Sequence, residues 1–139
     1  MKYLKELSTD KKFGYSIGVG LLIFLVYAII SSQILNDKFE NSNIEKKVTI
    51  ATIIGYIPGA KSPPNFKYKY NIFGQKHEDT HPIVSRIRLK GKKELLKYIG
   101  KRYYVRVVAG EPEISRLLID KPVLDSLKQA PSNGWLENE

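Results

Sequence analysis

The sequence predicts one N-terminal transmembrane α-helix followed by a small mainly-β domain, an antiparallel barrel or sandwich of four to six strands. Three observations carry that expectation. Between Lys12 and Asp37 lie 24 residues without a charge, FGYSIGVGLLIFLVYAIISSQILN. Beyond Lys47 the apolar pattern changes to a period of two, as in KVTIATIIGYI and FKYKYNI. Clusters of Pro, Gly and Asn then separate one short run from the next. Hydrophobic residues make up 42% of the chain and charged residues 27%, which excludes a chain disordered throughout.

At a rise of ~1.5 Å per residue the uncharged run is ~36 Å long, and a hydrocarbon core is ~30 Å thick. A soluble helix of that length needs a polar face, and this run has none, so residues 13–35 read as a membrane span after a cytoplasmic tail, residues 1–12. A cleaved signal peptide, cut near Ser31 and Ser32, is second choice. The apolar core exceeds the ~7–15 residues of such peptides, and no A-x-A-like site follows. With no cysteine in the chain, lipoprotein anchoring and disulfides are excluded. Lys2, Lys5, Lys11 and Lys12 precede the span, against Lys38, Lys46 and Lys47 just after it. That asymmetry places the N-terminus in the cytoplasm and the C-terminal domain outside the cytoplasmic (inner) membrane. Gly14 and Gly18 form a GxxxG, a spacing that lets two helices approach closely, and mark a possible homodimer contact.

Residues 36–47 read as a polar juxtamembrane connector, 48–136 as the β-domain and 137–139 as a tail. In KVTIATIIGYI, Val48, Ile50, Thr52, Ile54 and Tyr56 share one face of a strand. PGAKSPPN is a loop. Phe66, Tyr68, Tyr70 and Ile72 then alternate with Lys67, Lys69 and Asn71, a strand with an aromatic face, and Phe73-Gly74-Gln75 is a hairpin turn. PIVSRIRLKGK alternates as well and reads as a strand. KKELLKYIGK reads as one or two helical turns closing at Gly100. RYYVRVV is a strand, GEPE a turn and ISRLLID a last strand. Trp135 is costly to leave in water and is expected to pack back.

The chain carries a formal charge of +9. Arg86, Arg88, Lys90, Lys92 and Lys93 form its densest basic cluster, a candidate contact for anions or lipid headgroups. The aromatic–lysine alternation from Phe66 to Tyr70 could in principle stack bases and follow phosphates. Beside a membrane anchor, and without the glycine–aromatic motif of RNA-binding sheets, it reads as a half-buried strand, and no nucleic-acid partner is expected.

His77, Glu78 and His81 spell H-E-x-x-H, the zinc-peptidase signature. Its chemistry needs both imidazoles on one helical face, with the glutamate beside a zinc-bound water. Pro82 follows directly, biases His81 to extended backbone and clashes with the carbonyl of Glu78 in any helix. Gly74 and a period-two run precede it. The segment therefore reads as the return of a hairpin, so these three residues are disfavoured as a metal site. No catalytic residue and no cofactor is assigned.

TIIGYI, YKYNIFGQKHE, YIGKRYYVRVV, EPEISRLLIDKPV and APSNGW, in that succession after a single span, resemble a group of small bacterial single-pass membrane-anchored proteins. That group has an extracytoplasmic β-domain and no assigned activity. The resemblance covers residues 48–135 and departs from the group's motifs at Glu111-Pro112 and Val108-Ala109. It implies an anchored β-domain and transfers no catalytic residue. The chain is thus expected to be a membrane-tethered, non-catalytic binding or structural module of the bacterial envelope, with membrane lipid and another envelope protein as candidate partners. An accessory subunit of an envelope complex is the first alternative, and the zinc metallopeptidase is the alternative from another class.

Overall fold

In the computed structural model, residues 2–60 and 62–137 are described, with side-chain surroundings given from Val19 onward. Two compact units divide between Asn41 and Ser42. The first is a single helix, α1, Lys2–Glu40. Its segment Val19–Glu40 is long and apolar enough to cross a membrane. Leu22 and Phe24, on nearly opposite sides of the helix, are more than 60% exposed, so no protein core covers this stretch. The two serine hydroxyls in this segment are satisfied inside the helix: Ser31 Oγ donates to the Tyr27 carbonyl and Ser32 Oγ to that of Ile29, both at 2.8 Å. Such back-bonding spares a hydroxyl the cost of standing unpaired in an apolar medium. Gly14 and Gly18 lie outside the residues with described side-chain surroundings.

The second unit is one antiparallel sheet curled into a half-barrel, six strands in all. In chain order they are β1 (Lys46–Ile57), β2 (Asn65–Ile72), β3 (Gln75–Pro82), β4 (Arg102–Val108), β5 (Glu111–Pro122) and β6 (Trp135–Leu136). The spatial order is β3-β2-β1-β4-β5, with β6 paired to β1. The twelve-residue β1 is the hinge of this arrangement. Its first half pairs with β4, its second half with β2, and Ala51 stands opposite both Tyr70 and Tyr103. A register shift between Ile53 and Gly55 bends it where it changes partner emphasis.

The aromatic alternation of β2 faces as expected. Phe66, Tyr68, Tyr70 and Ile72 are buried, and Lys67 and Lys69 lie on the other face. The turn after Ile72 has positive φ at both central residues, 53° at Phe73 and 73° at Gly74. That pair of values matches the strand twist of a two-residue hairpin and sets the register Ile72↔Gln75. Trp135 does pack back, through β6 on Val48 and edge-on to Tyr104 at 6.2 Å.

On β1 the five residues expected to share a face, Val48, Ile50, Thr52, Ile54 and Tyr56, do so and are half-buried, while the opposite face, Thr49, Ala51 and Ile53, is fully buried. Both faces carry apolar residues, and the more open one lies toward the C-terminal segment that returns over Val48. Two other expectations are corrected. PIVSRIRLKGK is not a strand: it forms a short helix, α2 (Ser85–Arg88), followed by a turn. Ile87 is the buried residue of α2, Ile83 is buried in the link before it, and Leu89 just after it is 83% exposed, so the spacing that alternation suggests does not survive. Finally, the turn expected at GEPE is the shorter Ala109-Gly110, with Val108 opposite Glu111 and β5 beginning there. The expected helical turns form α3 (Lys92–Leu96), which buries Leu95. Together α2, α3 and the link before α2 cap the half-barrel, contributing Ile87, Leu95 and Ile83 to the core that holds Phe66 and Val105.

Candidate functional site

A β-strand projects alternate side chains to opposite faces. Along β3 this sends His77, Asp79 and His81 inward and Glu78 and Thr80 outward. The hairpin register sets the three inward residues opposite Tyr70, Tyr68 and Phe66 in turn. His77 stacks on Tyr70, with ring centroids 5.4 Å apart, and its Nε2 is buried without a hydrogen-bond partner. Glu78 is turned away and ion-paired with Lys67 at 2.6 Å on the solvent side.

This geometry decides what the HExxH string can do. Four residues of strand advance ~13 Å, whereas two imidazoles on one zinc need ligand atoms each within ~2.1 Å of the ion. His77 and His81 therefore cannot share an ion from this strand, and Glu78 is on the wrong face to serve as its base. Among the described residues no three His, Cys, Asp or Glu side chains converge as a metal site.

What β3 builds instead is a polar relay to β5, the opposite edge of the sheet. Ser115 Oγ donates to Asp79 Oδ2 at 2.7 Å. The Tyr68 phenol donates to the same Asp79 Oδ2 at 3.2 Å and lies 2.7 Å from Ser115 Oγ, so the three groups close a triangle. Asp79 Oδ1 also accepts the Thr80 amide at 2.7 Å, and Tyr70 donates to the Pro112 carbonyl at 2.6 Å. Burial pushes the Tyr68 phenol far above its ordinary range, and the nearby Asp79 carboxylate raises it further despite the opposing Ser115 hydrogen bond. Tyr70 is raised chiefly by burial too. Both phenols remain protonated donors, Tyr68 toward Asp79 and Tyr70 toward the Pro112 carbonyl. Each such bond contributes about 0.5–1.5 kcal/mol net, more where the carboxylate takes part. The relay thus closes the half-barrel along its open seam.

His81 stands at the end of this seam. Burial lowers its pKa, the Asp79 charge opposes that shift, Arg116 adds to it and Asp120 opposes it. A folded pKa below the unfolded value of about 6.5 means that the unfolded chain binds the proton first. The domain therefore loses stability as pH falls from about 6.5 toward the lower folded pKa, with no contribution from this residue above that window. His81→Gln is expected to flatten this slope in urea titrations across that range; an unchanged slope would assign the acid sensitivity elsewhere.

The basic cluster falls on the helical cap. Arg86 is ion-paired with Asp120 across to β5. Arg88, Lys90, Lys92 and Lys93 are exposed, and none takes part in an ion pair among the described residues. A separate groove of about 690 Å³ runs past Thr52, Lys69, Asn71 and residues 128–132. Its Arg102 donates to the carbonyls of Leu127 and Lys128, at 2.8 and 3.1 Å, and so holds the groove's wall in place.

Sequence reading did not find the relay. The hairpin turn and the aromatic face together imply that Asp79 points inward beside Tyr68, but nothing local to Ser115 announces its partner 36 residues away. Compared with family models, curated proteins and solved structures, the chain matches none of them.

Proposed function

We propose that the protein is a membrane-tethered, non-catalytic binding or structural module of the bacterial envelope. The observation that carries this reading is Val19–Glu40, a helix whose apolar residues 19–30 are all exposed, joined to a separate unit that has its own core. In this reading α1 crosses the cytoplasmic membrane once, with the N-terminus in the cytoplasm and the half-barrel outside. Tethering raises the half-barrel's effective concentration for partners at the bilayer surface. The polar residues of the seam hold the two sheet edges together, which supports a scaffold role over a catalytic one. Membrane lipid and a neighbouring envelope protein are its partners, and the exposed cations of the cap are its contact residues.

Alkaline extraction and a topology reporter fused after Trp135 test this. The chain is expected to stay in the membrane pellet, with the reporter active only outside the cytoplasm. A reporter active only in the cytoplasm would reverse the orientation, and release by alkali would remove the tether.

A further inference from the structure

We propose that the α2–α3 cap is a docking surface for anionic lipid headgroups, with its apolar side chains entering the interface between them. This deepens the tethered reading and rests on it. Because residues 83–92 form a helical cap and not a strand, they offer a different surface. A strand would have put Ile83, Ser85, Ile87 and Leu89 on a single face. The cap instead buries Ile83, Ile87 and Leu95 and leaves Leu89 83%, Leu96 46%, Val84 42% and Ile99 41% exposed. These four are interleaved with the cations Arg88, Lys90, Lys92 and Lys93. Between residues 83 and 101 the only acidic residue is Glu94, and Lys97 occupies it at 2.5 Å. Lys97 holds the Glu94 carboxyl below its usual range, so it stays charged and paired.

The chemistry of the partner follows from this mixture. A purely ionic ligand has no use for four exposed aliphatic side chains. A nucleic acid would want aromatic faces, but the ring of Tyr98 is stacked on Phe66 at 5.2 Å and covered by Lys101 at 5.5 Å. Cations around aliphatic anchors match the headgroup–acyl boundary of an anionic bilayer, where apolar surface and positive charge are taken up together. Each cation near such a surface changes binding about five-fold.

The absence of cysteine allows a clean test on the full chain. Ser85→Cys places an environment-sensitive fluorophore on the cap without removing a cation or an anchor, and Gln75→Cys places it on the hairpin turn as a control. The labelled chain is reconstituted in vesicles of phosphatidylcholine alone or mixed with phosphatidylglycerol. In the mixed vesicles, lipid-borne quenchers are expected to reach the label at 85 but not at 75, and added salt should reverse this. Changing Lys90, Lys92 and Lys93 together to Gln should lower the docked-to-free ratio on the order of 100-fold. Leu89→Ser with Leu96→Ser should lower it while keeping the charge.

A label at 85 that stays in water in both lipids, on a chain that resists alkaline extraction, overturns the proposal and leaves the tether intact. A chain released by alkali removes the tether alone, and the same label read with added anionic vesicles still decides the docking. Shielding by polyglutamate but not by anionic vesicles would assign the cap to an acidic polypeptide and overturn the proposal.

Discussion

Phe66→Ala is expected to cost the half-barrel about 3–5 kcal/mol, the range for removing a fully buried aromatic ring from a core that only partly collapses. Phe66 has no exposed surface and stacks on Tyr98, which lies 6.4 Å from Tyr103. It also stands opposite His81, so its ring joins the sheet, the helical cap and one end of the seam. For a domain of this size the change amounts to a fall of more than about 12 °C in melting temperature. Trp135, the single tryptophan, sits on β6 and reports unfolding of this unit without interference from α1. Phe66→Leu keeps most of the volume and should cost less than half as much. A loss below about 1 kcal/mol for the alanine variant would mean that the cap does not depend on this ring.

The second large effect is expected at Gly134. Its φ of +67° is a conformation that costs other residues about 1–2 kcal/mol. A Cβ there would also stand 2.8 Å from the Val48 carbonyl oxygen and 3.4 Å from Ile72 Cδ1. The carbonyl belongs to the strand that β6 pairs with, and it cannot yield without moving β1. Gly134→Ala should therefore release Trp135 and shift its emission to the red. The C-terminal segment should loosen with it, including the 2.7 Å bond from the Phe73 amide to the Ser132 carbonyl. Gly74→Ala is the matched control, with a φ of +73° and nothing within 4 Å of the added Cβ. The excess at Gly134 over Gly74 measures the collision alone. Equal effects in urea denaturation would show that the segment adjusts freely.

Local pattern carried much of this molecule. The uncharged run needs no partner to declare itself, because backbone groups in an apolar medium must be satisfied within the segment. The hairpin is equally local: a two-residue turn and a strict alternation determine which side chains oppose which. The HExxH string was decided locally as well. Pro82 and Gly74 deny it a helix, and the strand that forms separates its histidines beyond the reach of one ion.

Other features depended on contacts between residues far apart in the chain. PIVSRIRLKGK is a case where alternation misleads, since Ile83 and Ile87 are buried but lie in a link and a short helix. Burial against Phe66 selects the helix, and no neighbour in sequence records that choice. The inward face of β1 is decided in the same way: Thr49 and Thr52, or Ile53 and Ile54, are the same side chains, and only the pairing of β1 with β2 and β4 selects Thr49, Ala51 and Ile53 for full burial. The Tyr68–Ser115–Asp79 relay joins three strands through residues up to 47 apart, so it exists only once the sheet has curled.

The sequence by itself therefore determined the apolar span, the strand hairpin and the failure of the zinc motif, because each rests on backbone geometry within a few residues. Tertiary structure alone decided the helical cap, the buried face of β1 and the seam. Those depend on which distant surfaces exclude water from one another.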